Sequence, residues 1–434
     1  MNLAQLTALF VSSGCSMIYA KPLAENDNSK NQVYFGPDFQ ALNLFPNKGV
    51  VADSSKANPI FKAALDFAWL QADGSAVLAP GAQFILYPQY PEVRFSGFLK
   101  GCEAAPSELM AGRIKGRILF LGLVKDRGVR GFVVAGDSPI AAEFRTLENL
   151  TLVGVFTELP LSSKAAEMDS RGSLLAELNR IHHLEWIDSK QLDSHGTLKA
   201  CTAPQCGGFT LEAELGIPKN SDSEPDYLGW EVKQHAVSNF ARIEAGTITL
   251  MTPEPTGGFY KDKGVEAFVR KFGYPDKLGR PDRLNFGGVH KFGIEHPTTH
   301  LTLILNGYDE KAGRILNADG CIALVNERSG VAASWAFSGL LSHWSRKHSK
   351  AVYVPSQCRK EPKRQYCYGD KVRLAQGTDS LHLLKALASG AVYYDPGIKL
   401  ENASGRPTTK RRSQFRISSK FISTLYSKTE LIAV

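Results

Sequence analysis

The stretch TLEAELGIPKNSDSEPDYLGWEVKQ, residues 210–234, decides how this chain is read. It closes on a short strand-like run, YLGWEVKQ, with Pro225 and Asp226 just before it and Glu231, Val232 and Lys233 near its end. Strand side chains alternate, so Glu231 and Lys233 share one face while Val232 points into the core. Gly229 offers a place for the strand to bend or bulge. Asp226, at the strand entrance, could then approach the Glu231 carboxylate. Two carboxylates so placed suit a hard cation such as Mg²⁺, which takes oxygen ligands and keeps several waters. Mn²⁺ would fit the same oxygens. Such a cation polarises a phosphate and stabilises charge on a leaving oxygen, while an adjacent lysine orients the attacking water. Glu212, fourteen residues before Asp226, is a further carboxylate within reach of metal or water. A Glu-x-Lys after Pro-Asp also fits a plain solvated strand face, so the surroundings must decide.

The full 434 residues are too many for one core and point to two domains. The composition, 43% hydrophobic and 22% charged, is that of an ordinary globular protein rather than a disordered one. The formal charge is +8 and the pI about 9.0, which suits a polyanionic partner such as nucleic acid or an anionic membrane. Seven cysteines, at 15, 102, 201, 206, 321, 358 and 367, fit no zinc knuckle and read as buried free thiols in a reducing cytosol. The apolar N-terminus lacks the positive lead of a secretory signal and reads as a short amphipathic helix followed by a strand. No run of 18 or more apolar residues would span a membrane, and the expected location is the cytoplasm.

Residues 1–165 mix strand-like runs (82–88, 116–124, 130–137) with one helical stretch, Asn58 to Ala72, and read as an α+β module. The polar segment 159–173 marks a boundary, and 174–184 opens a new domain with a helix. Strand-like runs follow at 227–234, 245–252, 300–307 and 321–327, with helices at Val265–Phe272 and Ser380–Ser389. The segment 408–421 is densely basic.

The residues GFTLEAELGIPKNSDSEPDYLGWEVK (208–233) closely resemble the core of the MvaI/BcnI restriction endonuclease family. That family pairs a TLE–LGI element with a downstream PD–E-x-K and is itself similar to the mismatch-repair nickase MutH. The resemblance runs over about residues 172–434; residues 1–165 lie outside it, as an added domain. It implies an α/β (α+β) fold, a restriction-endonuclease-like PD-(D/E)XK core with an additional N-terminal α+β domain. It places Asp226, Glu231 and Lys233 on catalytic positions and Glu212 beside them, with Asp226, Glu231 and Val232 as the metal-site residues. The implied activity is that of a type II enzyme: Mg²⁺-dependent cleavage of double-stranded DNA at a short GC-rich site, as a monomer. A cognate methyltransferase encoded nearby would be a functional, not a physical, partner. A MutH-like strand nickase and an inactive DNA-binding relative are the alternatives.

Base edges in the major groove call for Arg on guanine and Asp or Glu on cytosine. In KRRSQFRI, a strand would turn Arg412, Gln414 and Arg416 to one side. The resemblance supports Arg412 and Arg416 as readers, and Asp395, in VYYDPGIKL, as an acidic one. A solvated basic strand and a turn aspartate are the plain alternatives. The loop 252–260, which probes the minor groove in the family, carries Pro253, Glu254 and Pro255 where some members have histidine. His235 shares the Lys233 face and could touch the scissile phosphate. The other histidines do not have zinc spacing. The tracts Arg346–Lys350 and Arg359–Arg364 read as solvated surface or the lining of a DNA channel. In the N-terminal module Tyr87, Tyr90, Phe95 and Phe98 alternate with Arg94 and Lys100. That pattern fits an accessory DNA-binding role or a strand core.

Overall fold

Parallel strands buried on both faces need near-continuous apolar runs, and AVYVPS, within the strand Lys350–Arg359, is such a run. The computed structural model describes residues 1–25, 31–55, 59–124, 128–148, 150–159, 161, 170–203, 205–219 and 225–434. In it Lys350–Arg359 lies at the centre of a mixed sheet, flanked by Gln365–Tyr368 and Lys371–Gln376. Strand Glu231–Ala236 runs parallel to it, Glu231 opposite Ala351 and Ala236 opposite Ser356. Val352 and Val354 join Trp230, Leu211 and Leu178 in the core beneath. That core seats two helices, Ser170–His183 and Cys206–Glu214. Gly207 permits close seating, because a Cβ there would meet Gln234 Oε1 at 2.9 Å. The chain is mixed α/β, with many strands and few helices.

The chain divides into two compact units, Met1–Asp169 and Ser170–Val434. The boundary segment anticipated at 159–173 falls largely outside the described residues. The first unit holds a seven-stranded and a five-stranded sheet. Its core is aromatic: Phe35 packs on Phe95 and Phe156 with ring centroids 5.2 and 5.0 Å apart. Phe95 and Phe98 are buried in that core, so of the aromatic run only Tyr90 projects, 75% exposed at a hairpin tip.

Two expectations are corrected. The stretch Asn58 to Ala72 is not a helix; its described part forms strands Ile60–Ala64 and Phe67–Leu70. Apolar spacing there fits either period, and the sheet wins because each strand fills a ladder position, Phe67 opposite Val129 and Phe61 opposite Leu86. Cys201 and Cys206 are not free thiols but a disulfide, their Cα atoms 5.8 Å apart. The turn into the helix Cys206–Glu214 brings them together, and spacing alone did not reveal it.

In the second unit, Val392–Tyr394 and Gly397–Glu401 pair with Phe415–Ser418 and Thr408–Lys410 in one continuous register. Hydrogen bonds of 2.9 Å from Asp395 N to Gln414 O and from Gly397 N to Arg412 O carry the ladder across the gap. Residues 392–401 and 408–417 are therefore a single two-stranded ribbon.

Candidate active site

The run anticipated as a strand over 227–234 begins as one only at Glu231. Tyr227 and Trp230 exchange backbone hydrogen bonds of 2.9 and 2.8 Å, closing a two-residue turn. Its central residues, Leu228 and Gly229, sit at φ 46° and 83°, the left-handed pair of a tight hairpin turn. This reversal brings Asp226 back beside the strand, where its Oδ2 accepts from Val232 N at 3.0 Å.

Glu231 is fully buried at the start of the strand. Its Oε1 takes a close contact from Lys233 Nζ, while its Oε2 has no hydrogen-bond partner. Burial pushes its carboxyl up to about 7; Lys233 opposes that shift, Asp226 adds to it and Lys347 opposes it again. Glu212 reaches the same cluster from the helix Cys206–Glu214, its pKa raised by burial and then by Asp226. Burial pulls the Lys233 ammonium towards neutrality, but Glu231, Asp226 and Glu212 hold its pKa above the ordinary lysine value.

A second lysine completes the cluster. Lys347, at the end of the helix Phe337–Lys347, places its Nζ 3.7 Å from Glu231 Oε1 and 3.9 Å from Asp226 Oδ1. Read from sequence, it lay in a tract of surface charge, 114 residues beyond Lys233. The one available signal was its place just ahead of the buried, largely apolar run 351–355. Next to it His348 is buried and stacks on Trp344, and burial with Lys233 and Lys347 nearby keeps it neutral.

The donor set fits a hard divalent cation. An orphaned, buried carboxylate oxygen is costly without a positive partner, and the ammonium of Lys347 already stands between the two acids. Among the described residues no group of three or more His, Cys, Asp or Glu is gathered for a metal. Mg²⁺ does not require one, since it binds through one or two carboxylates and keeps its waters. The Val232 side chain is in the core, so only its main chain could contribute.

His235 stands apart from this cluster. It is buried, bonds the Ile243 carbonyl at 3.0 Å and packs under Gly246. Contact with a phosphate would require its ring to leave that seat. Asp395, Arg412, Gln414 and Arg416 do come together on one ribbon face, where Arg416 Nη1 donates to Asp395 Oδ2 at 2.6 Å. The loop 252–260 is pinned: Pro253 O accepts from Trp335 Nε1 at 3.0 Å and Ser413 Oγ at 2.6 Å, and Tyr260 donates to Glu254.

The tract Arg359–Arg364 braces the fold. Arg364 donates to the carbonyls of Thr202 and Ala203 at 2.5 and 2.9 Å, and Lys363 meets Asp188 at 2.5 Å. Arg359 lies over the Trp186 ring at 4.5 Å. His182 and His290 bond backbone carbonyls, those of Tyr368 and Gly288.

Buried Glu231, half-buried Asp226 and Glu212, and Lys233 thus gather at the head of a sheet strand, and the class of protein follows from a family comparison. The model of the MvaI/BcnI restriction endonuclease family matches residues 175–426, more than half of the chain. The chain belongs to that family, and so to the nucleases. Among solved structures it is similar to restriction endonuclease MvaI in complex with cognate DNA substrate and in the absence of DNA. Identity is 15% in both cases, over 61% of this chain and 98% of that chain, with TM-scores of 0.46 and 0.34. Comparison with curated proteins gives no match. Among the described residues no helix is long and apolar enough to cross a membrane.

Proposed function

We propose that this chain is a type II restriction endonuclease that hydrolyses phosphodiester bonds of double-stranded DNA with Mg²⁺, at a short, GC-rich site. The observation that carries the reading is the buried Glu231 carboxylate, with one oxygen unpartnered and Asp226, Lys233 and Lys347 converging on it. Asp226 and Glu231, with the Val232 main chain, would hold the cation. When bound, it supplies a Lewis acid for the phosphate and for charge on the leaving oxygen. Lys233 holds and orients the attacking water and steadies its developing hydroxide. Glu212, kept in reach of a proton by its raised pKa, accepts a hydrogen bond from that water. Asp395 and Arg416, ion-paired on the ribbon, have the acceptor and donor that a C·G pair presents partners for in the major groove.

Residues 1–169 carry 15 Lys and Arg against 16 Asp and Glu, whereas 170–434 carry 36 against 27. The phosphate-attracting field thus belongs to the second unit. An accessory role for Met1–Asp169 on DNA would rest on specific contacts, with Tyr90 as the exposed aromatic, rather than on bulk charge.

The test is to incubate purified protein with unmethylated phage DNA and Mg²⁺, alongside Lys233→Ala and an EDTA control, and to sequence the ends. Discrete fragments from wild type alone support the reading, and their ends define the site. Nicks on one strand only would replace it with a repair-type nickase. Salt-sensitive binding without any cleavage would leave a DNA-binding protein.

A further inference from the structure

The ribbon carries positive charge well beyond the residues assigned to bases. Directly opposed residues of an antiparallel pair lie on one face. The register therefore puts Asp395, Gly397 and Lys399 on the same face as Gln414, Arg412 and Lys410. Arg412 packs over Gly397, where no side chain intervenes. Strand Arg283–Gly287 extends this face, Asn285 opposite Lys399 and Arg283 opposite Glu401. The reverse face, with Ile398, Leu400, Phe415 and Ile417, is buried, so the charged face looks outward.

At one end of that face is the Asp395–Arg416 pair. At the other stand Lys399 and Lys410, with Arg280 and Arg283 beside them. The acids here are already engaged: Glu401 meets Lys410 at 3.0 Å and Arg283 at 3.9 Å, and Asp276 meets Arg283 at 3.3 Å. Burial first, and then the nearby Arg283 and Arg280, lower the pKa of Lys399. Lys410 is 67% exposed. Ammonium groups spread on a flat strand surface suit a repeated polyanion rather than a small buried anion. A two-stranded ribbon also fits the major groove, which leaves its far end against the flanking phosphates.

We propose that Lys399 and Lys410, with Arg280, grip the DNA phosphate backbone outside the bases faced by Asp395 and Arg416, adding affinity without choosing the site. This rests on the DNA-cleaving function proposed above.

The experiment measures binding of the full chain to a duplex carrying a site mapped from the wild-type fragments, with Ca²⁺ in place of Mg²⁺, across a salt series. Each phosphate contact contributes about 0.9 to the slope of log K against log salt. The double variant Lys399→Gln/Lys410→Gln should therefore lose about 1.8 of slope, yield unchanged fragment ends with Mg²⁺, and regain the slope as Lys399→Arg/Lys410→Arg. An unchanged slope in the Gln variant, or altered fragment ends, would overturn the phosphate assignment while the nuclease stands. A wild type that neither binds nor cuts would remove the nuclease reading, and this inference with it.

Discussion

At the scale of single residues, the centre turns on one carboxylate that is kept ready to lose its proton. Glu231 titrates near 7, chiefly because it is buried. Below that pH it is protonated and, on the proposed Mg²⁺ reading, would hold no cation, so cleavage should fall as pH drops through about 7. Because proton and cation compete for the same oxygens, more Mg²⁺ should move the midpoint to lower pH. Rate profiles at two Mg²⁺ concentrations check this; identical midpoints would mean another group is responsible. Stability carries the opposite sign. A folded-state pKa raised above 4.5 adds stability at low pH that is lost as pH rises towards 7. In EDTA, melting between pH 5 and 8 should show that loss in wild type and not in Glu231→Gln. Lys347 adds positive charge between Asp226 and Glu231, and by the usual worth of one preorganised donor Lys347→Ala should slow single-turnover cleavage about a hundredfold. A rate equal to wild type would make it a bystander.

At the scale of elements, the site depends on a turn and a staple. Gly229 has nothing within 4 Å of where a Cβ would stand, yet its φ is +83°. Gly229→Ala should then lose about 1 kcal/mol to backbone strain alone, and also displace Asp226, so cleavage should suffer more than melting. Leu228→Gly, at a φ of 46°, should leave cleavage intact. The Cys201–Cys206 bridge closes a very short loop at the start of the helix bearing Glu212, a closure worth about 2 kcal/mol on chain entropy. A reductant should lower the melting temperature by several degrees, with Cys201→Ser/Cys206→Ser already low and insensitive. Arg364, bonded to two carbonyls inside that loop, steadies the same segment.

At the scale of the whole molecule, charge is divided unevenly. The near-balance of residues 1–169 against the surplus of 170–434 means that the salt dependence of DNA binding should come from the second unit. Lys100→Gln, in the first unit, should leave the salt slope as it is in wild type. A slope that fell by a full phosphate contact would assign the first unit its own electrostatic footprint.

The family, the mixed α/β class and the candidate carboxylates and lysine of residues 210–234 were legible in the chain, because alternation on a strand and a local turn act over a few residues. So was the one-sided display of Arg412, Gln414 and Arg416. The strands at 60–70 were not, since apolar spacing serves both periods and only the sheet partner chooses. Nor was the nearness of Lys347 to Glu231, or the way the ribbon aligns Lys399 with Lys410 and Asp395 with Gln414. Those depend on which distant segments pair, and that is settled by burial and hydrogen-bond register across the folded chain rather than by any local pattern.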